Sequence, residues 1–463
     1  MPELPEVTTI IGVLKPILLG KKIQKVTVYR EKNIFSGAKD FEEKLKGKTI
    51  SSISRRGKYL IFKCDDNIAF LCHLRMEGKF FLRQKDEPKQ KFDLVDFYLE
   101  NGTRLSYNDV RKFGGFYLAD SPENLIKETT LNTLGKEPFD LDQDEFYSLI
   151  RFDQRPIKEI LLDQSVIAGI GNIYDSETLF AAHIHPLTKG SELSLEECGS
   201  ILKESCRILN EAIELGGSTI RSYHPGKDID GMMQNQLLVY GKHATPCPNC
   251  GFPIRRIFVG GRSSFYCPNC QKRKNGLYIV GVTGPIASGK STVSHYLEGL
   301  GYLHIDADRI VWELYQKKEI QSWLKKNIHR DAVKNREINR LQISKTINHN
   351  KEKKALLEAF IHEKVFNEID KLLLENKDRK ILLDVPLLIG SKYENLCDCL
   401  IYIEADEKLR RQRIASRGKD PDLALRLNAS FPKKKAKSNA EILLSGNGSN
   451  DDLIRQLKEI RCL

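Results

Sequence analysis

The sequence predicts a multidomain protein: an N-terminal antiparallel β-sandwich with a helix, a helical domain, a cysteine hairpin, and an α/β domain with a doubly wound parallel sheet. Its 463 residues exceed the roughly 250–300 at which a single hydrophobic core stops growing. Short alternating apolar and polar runs fill residues 22–118, and a strand, a glycine-rich loop and a helix follow one another from residue 277. We place the domains at residues 1–135, 136–235, 236–271 and 277–463, with a linker at 272–276.

Charge and hydropathy limit the kinds of partner. The formal net charge is +12 and the sequence pI is about 9.0, which favours a polyanionic partner such as nucleic acid. The longest apolar runs, such as "LYIVGV", are far shorter than the roughly 18 residues of a membrane helix. The start "MPELPEV" has neither the basic residues nor the apolar centre of a signal peptide. We therefore expect a cytoplasmic protein, and a monomer.

The first residues form an amphipathic helix in this prediction. Apolar side chains recur at helical spacing, at Val7, Ile10, Ile11 and Leu14. Pro5 suits the first turn of the helix, and Glu6 lies where the positive end of the helix dipole favours a carboxylate. We expect Pro16 to end or kink the helix.

A second interpretation of the same stretch concerns chemistry. Removal of Met1 would expose Pro2 as a secondary amine beside Glu3. An α-amino group has a pKa near 8, against about 10.4 for lysine, so about 10% of it is free base at pH 7 instead of about 0.04%. Such an amine can attack a sugar carbon and form an iminium. From the residues alone, a capped helix and a nucleophilic amine both remain open.

Five motifs then give a family resemblance. The segments "MPELPEV", "RRGKYL", "HLRMEGKF", "DVRKFGGF" and "LGKEP" together resemble formamidopyrimidine-DNA glycosylase, a bacterial enzyme that excises oxidised purines such as 8-oxoguanine and then cuts the strand. The resemblance implies that Pro2 is the Schiff-base nucleophile, Glu3 a proton donor at the sugar, and Lys58 an acid or base in the eliminations. It also implies double-stranded DNA with oxidised bases as the partner.

The resemblance assigns DNA contacts as well. Met76, Arg111 and Phe113 match the residues that fill the space left by an everted base, whose flipping has an energetic cost. Where many relatives carry a histidine-rich "KHDH", this chain has "KFDL" at residues 91–94. One DNA contact expected there is therefore missing, although the chemistry does not depend on it.

The helical middle contains a turn of small residues between two apolar helices. Gly169 and Gly171 permit a tight backbone, and Asn172 is expected to cap the next helix, whose amides would point at a phosphate. The wider string is similar to the helix-two-turn-helix of the same glycosylases, which implies that Asn172 and Lys158 contact the DNA backbone. Residues 216–231 match the family's mobile loop over the flipped base.

Four cysteines predict a structural zinc site. Cys247, Cys250, Cys267 and Cys270 have the spacing C-x2-C-x16-C-x2-C, typical of a four-thiolate ribbon. Four sulfur ligands leave no open position for water, so the zinc is not catalytic. Disulfides are the alternative, which a reducing compartment disfavours. The hairpin between the pairs turns at residues 260–261, and the resemblance implies that Arg262 on it contacts DNA and assists the last elimination.

A related enzyme, endonuclease VIII, remains an alternative for the lesion preference. It shares the N-terminal proline, the zinc hairpin and the lyase chemistry but prefers oxidised pyrimidines. The start "MPELPEV" and the set Met76, Arg111 and Phe113 favour the purine enzyme.

After the linker, "LYIVGVT" predicts a strand and "GPIASGKS" fits the P-loop pattern G-x4-G-K-[ST] before a helix. Backbone amides of such a loop cradle phosphates, Lys290 would reach the β and γ groups, and Ser291 would hold Mg²⁺. The predicted nucleotide-binding residues are Gly284, Ile286, Ala287, Ser288, Gly289, Lys290, Ser291 and Thr292. Asp306, Asp308 and Asp384 end neighbouring strands, where carboxylates can bind magnesium or accept a proton.

Together "TGPIASGKST", "DADRI", "LEAFIHEKV" and "DVPLL" resemble dephospho-coenzyme A kinase, which moves the ATP γ-phosphate to a ribose 3′-hydroxyl. The resemblance implies ATP, Mg²⁺ and dephospho-coenzyme A as ligands, Asp308 as the catalytic base, and Arg413 or Arg417 as lid cations. The chain departs from the pattern at Gly390, where relatives carry glutamate, and at Ser430, where they carry glutamine.

Three functional hypotheses follow. The first is a bifunctional glycosylase/lyase and kinase. In the second, the P-loop domain is a degenerate nucleotide-binding appendage that tunes or tethers the repair domain. In the third, the whole chain binds DNA lesions without catalysis, although Pro2, Glu3 and Lys58 disfavour this.

Overall fold

The computed structural model describes residues 2–217, 232–334, 337–385, 388–429 and 431–460. They form two compact units, Met1–Tyr240 with Val259–Ser264, and Gly241–Phe258 with Phe265–Leu463. The division runs through the predicted cysteine hairpin. Its tip belongs to the first unit, and its four cysteines belong to the second.

The first unit contains the predicted antiparallel sandwich. Two four-stranded antiparallel sheets have the strand orders 1-6-7-5 and 2-3-4-8. Its elements in chain order are α1 (Leu4–Leu18), β1 (Ile23–Val28), α2 (Ala38–Leu45), β2 (Ile50–Arg56), β3 (Tyr59–Cys64), β4 (Ala69–His73), β5 (Lys79–Gln84), β6 (Asp93–Leu99), β7 (Thr103–Asn108), β8 (Gly115–Ala119), α3 (Pro122–Glu128), α4 (Gln143–Ile150), α5 (Ile157–Leu162), α6 (Asn172–Ala181) and α7 (Leu195–Glu214).

Aromatic rings fill the sandwich between the sheets. Phe41 from α2 lies 5.8 Å from Phe70 and 5.5 Å from Phe116, measured between ring centroids. Phe70 stacks on Phe62 at 4.6 Å. Phe62, Phe70 and Phe116 come from the neighbouring strands β3, β4 and β8, as expected when one face of each strand is buried.

Helix α1 packs one apolar face into this core, as the spacing predicts. Val7 and Ile10 have no exposed surface, and Ile11 and Leu14 are almost as deeply buried. The helix continues two residues beyond Pro16, contrary to the expectation that proline would end or kink it. The Leu19 amide donates to the Lys15 carbonyl at 3.0 Å and closes the last turn. Pro16 has no backbone N–H to donate, but it lies close to the end of the helix, so few helical residues follow it.

The cysteine hairpin consists of β9 (Arg255–Val259) and β10 (Arg262–Tyr266). It turns at Gly260 and Gly261, whose φ angles of 54° and 72° lie in the left-handed region. Glycine is the residue that adopts this conformation without steric cost, so the predicted turn is explained by its sequence.

The second unit contains the predicted parallel sheet. Its strand order is 12-15-11-16-17, and every neighbouring pair is parallel. The elements that follow the hairpin are β11 (Tyr278–Thr283), α8 (Lys290–Gly299), β12 (Leu303–Asp306), α9 (Ala307–Gln316), α10 (Lys318–Asn327), β13 (Val333–Lys334), β14 (Glu337–Ile338), α11 (Arg340–His349), α12 (Lys351–Glu375), β15 (Lys380–Asp384), β16 (Cys399–Glu404), α13 (Glu407–Ser416), α14 (Pro421–Leu427), α15 (Lys433–Asn439), β17 (Ile442–Ser445) and α16 (Asn450–Lys458).

The central strand β11 sets the position of the glycine-rich loop. The loop leaves the carboxyl end of β11 and leads into α8, at the edge where parallel α/β sheets bind their ligands. In the part of the chain that the structure describes, no helix is both long and apolar enough to cross a membrane.

Candidate functional site

Glu3 lies against the start of helix α6. Its carboxylate accepts hydrogen bonds from the backbone amides of Gly171 at 2.7 Å, Ile173 at 2.9 Å and Tyr174 at 3.4 Å. The side chain is only 2% exposed. A carboxylate is favourable here because the first amides of a helix have no partner within it and carry the positive end of its dipole.

This contact corrects the expectation for the start of α6. Asn172 is the first helical residue and not the cap, and the amides predicted to point at a phosphate donate to Glu3 instead. The Asn172 amide nitrogen lies 3.4 Å from the Ser263 hydroxyl on the hairpin tip. Its side chain thus lies at the site, while Glu3 takes up the amides of Gly171, Ile173 and Tyr174.

Burial shifts the proton affinities of Glu3 and Lys58 in opposite directions. Loss of hydration raises the pKa of Glu3 to about 7, although the positive charge of Lys58 opposes the shift. Loss of hydration likewise lowers the pKa of Lys58 to about 8, opposed by the carboxylates of Glu3 and Glu6. The Lys58 ammonium donates to the Ile170 carbonyl at 2.7 Å. Near neutral pH, both groups are able to exchange protons.

A second carboxylate, that of Glu6, holds the N-terminal backbone. It accepts the Glu3 amide at 2.8 Å and the Tyr174 hydroxyl at 2.6 Å, with 2% of its surface exposed. From the sequence, Glu6 was expected only to interact with the helix dipole. Its three-residue spacing from Glu3, that of a capping box, is the signal that could have predicted the contact.

One cavity of about 290 Å³ collects most of the predicted residues of the first unit. Glu3, Lys58, Met76, Asn172 and Arg262 line it, and Pro2 is the residue before Glu3. Histidine, glutamine and tyrosine side chains that the sequence argument did not assign also line it: His73, Gln164, Tyr59 and Tyr240. Most of the loop predicted to cover a flipped base, residues 216–231, lies outside the described residues.

Three exposed side chains at the sandwich edge contact one another. Met76 is 39% exposed and Phe113 is 57% exposed. The Arg111 guanidinium lies 3.1 Å from the Met76 sulfur and 5.1 Å from the centre of the Phe113 ring. A cluster of apolar side chains held at the surface can mark a contact site for another molecule. The structure therefore brings the predicted base-replacing residues together.

Asp109 orders the loop that carries two of them. It is fully buried and accepts the amides of Arg111, Phe113 and Gly114, each at 2.9 Å. Three backbone amides on one carboxylate fix the direction of the loop because each would otherwise lack a partner. No functional role of Asp109 was predicted from the sequence.

Lys158 corrects another expectation. It was predicted to contact the DNA backbone, but it has no exposed surface, and its ammonium lies 2.6 Å from the equally buried Asp175 carboxylate. Burial raises the pKa of Asp175 to about 6, and the Lys158 charge opposes the shift. The pair joins α5 to α6, so Lys158 supports the helical domain and does not reach a phosphate.

The four cysteines fit a zinc ion. Their sulfur atoms all lie within 4.8 Å of one another, with the Cys247–Cys270 pair at 3.9 Å and the Cys250–Cys267 pair at 3.4 Å. Zn–S bonds of about 2.3 Å in a tetrahedron place sulfurs about 3.8 Å apart. The cysteines form a structural zinc site, as predicted.

The glycine-rich loop has the backbone of a phosphate cradle. Gly284 and Gly289 have φ angles of 158° and 114°, and Ala287 adopts 61°. The Ser288 hydroxyl is buried and has no partner among the described residues. Lys290 donates to the loop carbonyls of Gly284 at 3.0 Å and Pro285 at 3.4 Å. These features fit a nucleotide phosphate, whose oxygens would accept hydrogen bonds from the Lys290 ammonium and from the backbone amides of the loop.

A cavity of about 410 Å³ joins this loop to three carboxylates. Asp306 ends β12 and is in register with Asp384, which ends β15. Asp308 follows at the start of α9. Burial raises the pKa values of Asp308 and Asp384, opposed by the Lys290 charge. The carboxylates, Lys290 and Ser291 thus line the same cavity.

Of the two arginines predicted to close this cavity, one lines it and the other does not. Arg417 lines it, as does Lys419, which was not predicted, whereas Arg413 donates to the Gly446 carbonyl at 2.8 Å and the Gly448 carbonyl at 3.1 Å. The Thr292 hydroxyl, predicted to bind nucleotide, donates to the Asn450 side chain at 2.9 Å. Ser430 lies outside the described residues.

The first unit brings Glu3 and Lys58, whose pKa values are shifted by burial, into one cavity, and the second has the layout of a P-loop kinase. Family models match in the same order. They are the formamidopyrimidine-DNA glycosylase N-terminal domain at residues 1–116, its H2TH domain at 134–224, the zinc finger found in FPG and IleRS at 245–273, and dephospho-CoA kinase at 278–452.

Curated relatives are similar over the N-terminal part. Formamidopyrimidine-DNA glycosylase of Mycoplasma mobile is 43% identical over 273 residues, covering 59% of this chain and 99% of the relative. That of Bacillus subtilis is 44% identical over 282 residues, covering 59% and 100%. The chain belongs to the formamidopyrimidine-DNA glycosylase family, and its C-terminal part is a dephospho-CoA kinase domain.

Solved structures of glycosylases bound to DNA are also similar to this chain. The Lactococcus lactis FPG mutant G226P in complex with a Fapy-dG containing DNA is 38% identical with a TM-score of 0.56, covering 59% of this chain and 100% of that chain. MutM in complex with carbocyclic 8-oxo-G containing DNA is also 38% identical, with a TM-score of 0.55 and the same coverage.

Proposed function

We propose that the chain excises oxidised purines from double-stranded DNA and cleaves the strand, and that it separately phosphorylates dephospho-coenzyme A. The observation that carries the first activity is the buried pair of Glu3 and Lys58 in one cavity, next to Pro2. The pKa values of about 7 and about 8 suit two groups that exchange protons near neutral pH.

In the excision step, the Pro2 nitrogen, freed by removal of Met1, attacks C1′ of the damaged nucleotide with its lone pair. The bond from C1′ to the base breaks, and its electron pair leaves with the base, which takes up a proton. Opening of the sugar ring then gives an iminium, with Glu3 donating a proton to the ring oxygen. Glu3 serves this role because burial keeps it protonated up to about pH 7.

Strand cleavage follows from the same iminium. Loss of a proton from C2′ expels the 3′ phosphate, loss of a proton from C4′ then expels the 5′ phosphate, and water releases Pro2 from the remaining sugar fragment. Lys58 exchanges these protons, and Arg262, which lines the same cavity, stabilises a departing phosphate with its charge. The structural zinc, held by the four cysteines, makes the hairpin that carries Arg262 rigid.

The three-residue surface cluster of Met76, Arg111 and Phe113 supports duplex DNA as the substrate. Their contacts with one another and their exposure suit insertion between bases, which compensates for the unstacking of the flipped nucleotide. Two of the structural relatives hold DNA with Fapy-dG and carbocyclic 8-oxo-G, which favours oxidised purines here. A preference for oxidised pyrimidines, as in endonuclease VIII, is the competing assignment.

Borohydride trapping tests the first activity. Full-length protein is mixed with duplex DNA containing 8-oxoguanine or an oxidised pyrimidine, and the iminium is reduced in place. We expect a covalent adduct with the purine substrate, located by mass spectrometry on the N-terminal tryptic peptide that begins at Pro2. A trapped lysine, or faster trapping on the pyrimidine lesion, would contradict the assignment of nucleophile or lesion respectively.

For the second activity, the cavity that joins Lys290 to Asp308 and Asp384 carries the proposal. Asp308 takes the proton of the ribose 3′-hydroxyl while the oxygen of that hydroxyl attacks the γ-phosphorus of ATP. The bond from that phosphorus to the β,γ-bridging oxygen breaks, and ADP is released. Lys290 stabilises the phosphates, and Ser291 is the residue that would hold Mg²⁺, which neutralises developing charge.

The second hypothesis, a regulatory nucleotide-binding module, rests on the glutamate lost at Gly390. Glu394 does not replace it, because its carboxylate accepts the Gly390 amide at 2.6 Å and the Asn439 side chain at 2.6 Å, and it does not line the cavity that contains Lys290.

Incubation with ATP, Mg²⁺ and dephospho-coenzyme A separates the two hypotheses. We expect coenzyme A from the unmodified protein and a loss of at least about a hundredfold in Asp308→Asn, with ATP affinity changed little. Asp331→Asn, a substitution at a residue that does not line this cavity, serves as a control. ATP binding without any product would instead support the regulatory module.

A further inference from the structure

Within the second unit, the base of the cysteine hairpin carries a buried, charged side chain. Arg255 is 1% exposed. Its Nε donates to the Cys397 carbonyl at 3.0 Å, and its terminal nitrogens donate to the carbonyls of Asn439 at 3.1 Å and Glu394 at 2.6 Å. These acceptors lie just before the neighbouring strands β16 and β17 in the chain, and far from Arg255 in the sequence.

The charge of Arg255 is balanced by Glu441. The two side chains are 2.8 Å apart, and the Glu441 carboxylate has no exposed surface. Its other oxygen accepts the Leu400 amide at 2.8 Å, at the edge of β16. A buried ion pair is tolerated when its remaining donors and acceptors are satisfied, and the loss of one partner leaves an uncompensated charge.

A second buried contact lies next to the first. Asp398, 3% exposed at its side chain, accepts hydrogen bonds from Arg273 at 3.1 Å and from the Tyr266 hydroxyl at 3.2 Å. It also accepts the Ile279 amide at 2.9 Å, at the start of β11. Arg273 lies in the segment predicted as a linker, so this part of the linker is held against the parallel sheet by its ion pair with Asp398.

We propose that a surface of the kinase domain, residues 394–398 and 439–441, is a docking site whose occupant is the chain's own zinc ribbon, so that zinc binding and the packing of β16 and β17 stabilise each other. Zinc holds Cys247, Cys250, Cys267 and Cys270 together and thereby fixes the hairpin strand that carries Arg255. When the ribbon loosens, Glu441 loses Arg255, Asp398 loses the Tyr266 hydroxyl, and the strands beside them lose protection.

Hydrogen exchange on the full-length protein tests this coupling directly. Zinc is removed by a chelator, and exchange is measured by mass spectrometry on peptides that cover β16, β17 and, as an internal control, α7 of the first unit. We expect exchange in β16 and β17 to accelerate on the order of tenfold or more and exchange in α7 to stay unchanged. Unchanged protection of β16 and β17 would overturn the proposal.

Variants test the same coupling in the opposite direction, with zinc release as the signal. The rate at which a chromogenic chelator takes zinc from Arg255→Met should exceed that of the unmodified protein on the order of a hundredfold, because the uncompensated Glu441 favours the open state. Arg411→Met removes an exposed arginine, paired with Asp422 and Glu407, and serves as the matched control. We expect its release rate to stay within about twofold.

The double variant Arg255→Met with Glu441→Gln guards against a general loss of folding. Since it removes both charges, it should release zinc more slowly than Arg255→Met alone. Equal release from the unmodified protein and Arg255→Met, or no recovery in the double variant, would show that the ribbon and the kinase domain are independent.

Discussion

The Glu3 carboxylate accepts the Gly171 amide at 2.7 Å across 168 residues of chain. This hydrogen bond ties the N-terminal helix of the sandwich to the start of helix α6. It fixes a proton-exchanging side chain beside the residue proposed as nucleophile. The geometry of the cavity therefore depends on an intact glycine at position 171.

Gly171→Ala should disturb Glu3 more than the fold. A Cβ at this position would lie 2.6 Å from the Glu3 Cγ, so the carboxylate must leave its three amide donors. We expect the rate of base excision to fall on the order of tenfold or more through kcat, because a small displacement of a catalytic group has large effects. Single-turnover excision kinetics measure this.

Gly12→Ala is the matched control for that substitution. Gly12 is exposed on α1, and a Cβ there meets nothing within 4 Å. Alanine should raise the free energy of unfolding by up to about 1 kcal/mol and leave excision unchanged. If Gly12→Ala lowers excision as much as Gly171→Ala does, the effect is not specific to Glu3.

Stability should depend on pH through Glu3. Burial raises its pKa to about 7 in the folded state, against 4.5 ordinarily. Between these values the unfolded chain has lost this proton and the folded protein keeps it, so the unfolded state binds fewer protons and the free energy of unfolding decreases as pH rises. The contribution is at most about 3 kcal/mol.

Urea unfolding at pH 5 and pH 7 measures this contribution. Glu3→Gln cannot ionise, and we expect it to lose less stability between the two pH values than the unmodified protein does. An equal loss in both proteins would show that Glu3 keeps an ordinary pKa.

Lys158 should matter for stability and not for phosphate binding. Lys158→Met leaves Asp175 buried without its cation, and we expect a loss of about 3–5 kcal/mol in the free energy of unfolding. Lys158→Met with Asp175→Leu should recover part of it, as measured by denaturant titration.

The salt dependence of DNA binding distinguishes the two roles of Lys158. A lysine that contacts a phosphate contributes about 1 to the slope of log affinity against log salt concentration. We expect the slope of the double variant to equal that of the unmodified protein. A slope reduced by about 1 would restore Lys158 as a DNA contact.

Asp109→Asn should weaken DNA binding through the loop that carries Arg111 and Phe113. An amide side chain cannot accept three backbone hydrogen bonds as a carboxylate does. We expect affinity for lesion DNA to fall about tenfold, measured by fluorescence anisotropy. Asp120→Asn, which alters an exposed ion pair with Lys44, should change affinity by less than twofold.

Local patterns predicted most of the fold. The alternation in residues 22–118, the helical spacing at Val7 and Ile10, the turn at residues 260–261 and the spacing of the cysteines each depend on residues close in sequence. For the same reason the sequence indicated the zinc site and the phosphate loop, whose members are consecutive or nearly so.

Contacts between distant residues were not predictable in this way. Nothing around Lys158 indicates that Asp175 lies beside it, and nothing around Asn172 indicates that Glu3 occupies the amides of its helix. Asp109 was missed because its role is to accept backbone amides, which leave no pattern of side-chain types. Arg255 was missed because it belongs to a hairpin whose local sequence resembles an independent zinc ribbon.

The 186 residues that separate Arg255 from Glu441 also set an order of events during synthesis. At about 5–20 residues per second, the ribosome adds the partner roughly 10–40 s after the arginine. The ribbon therefore emerges with Arg255 hydrated and its cysteines already present. The ion pair can form only when nearly the whole chain has been made, and a chain truncated before Glu441 carries Arg255 without the carboxylate that balances its charge.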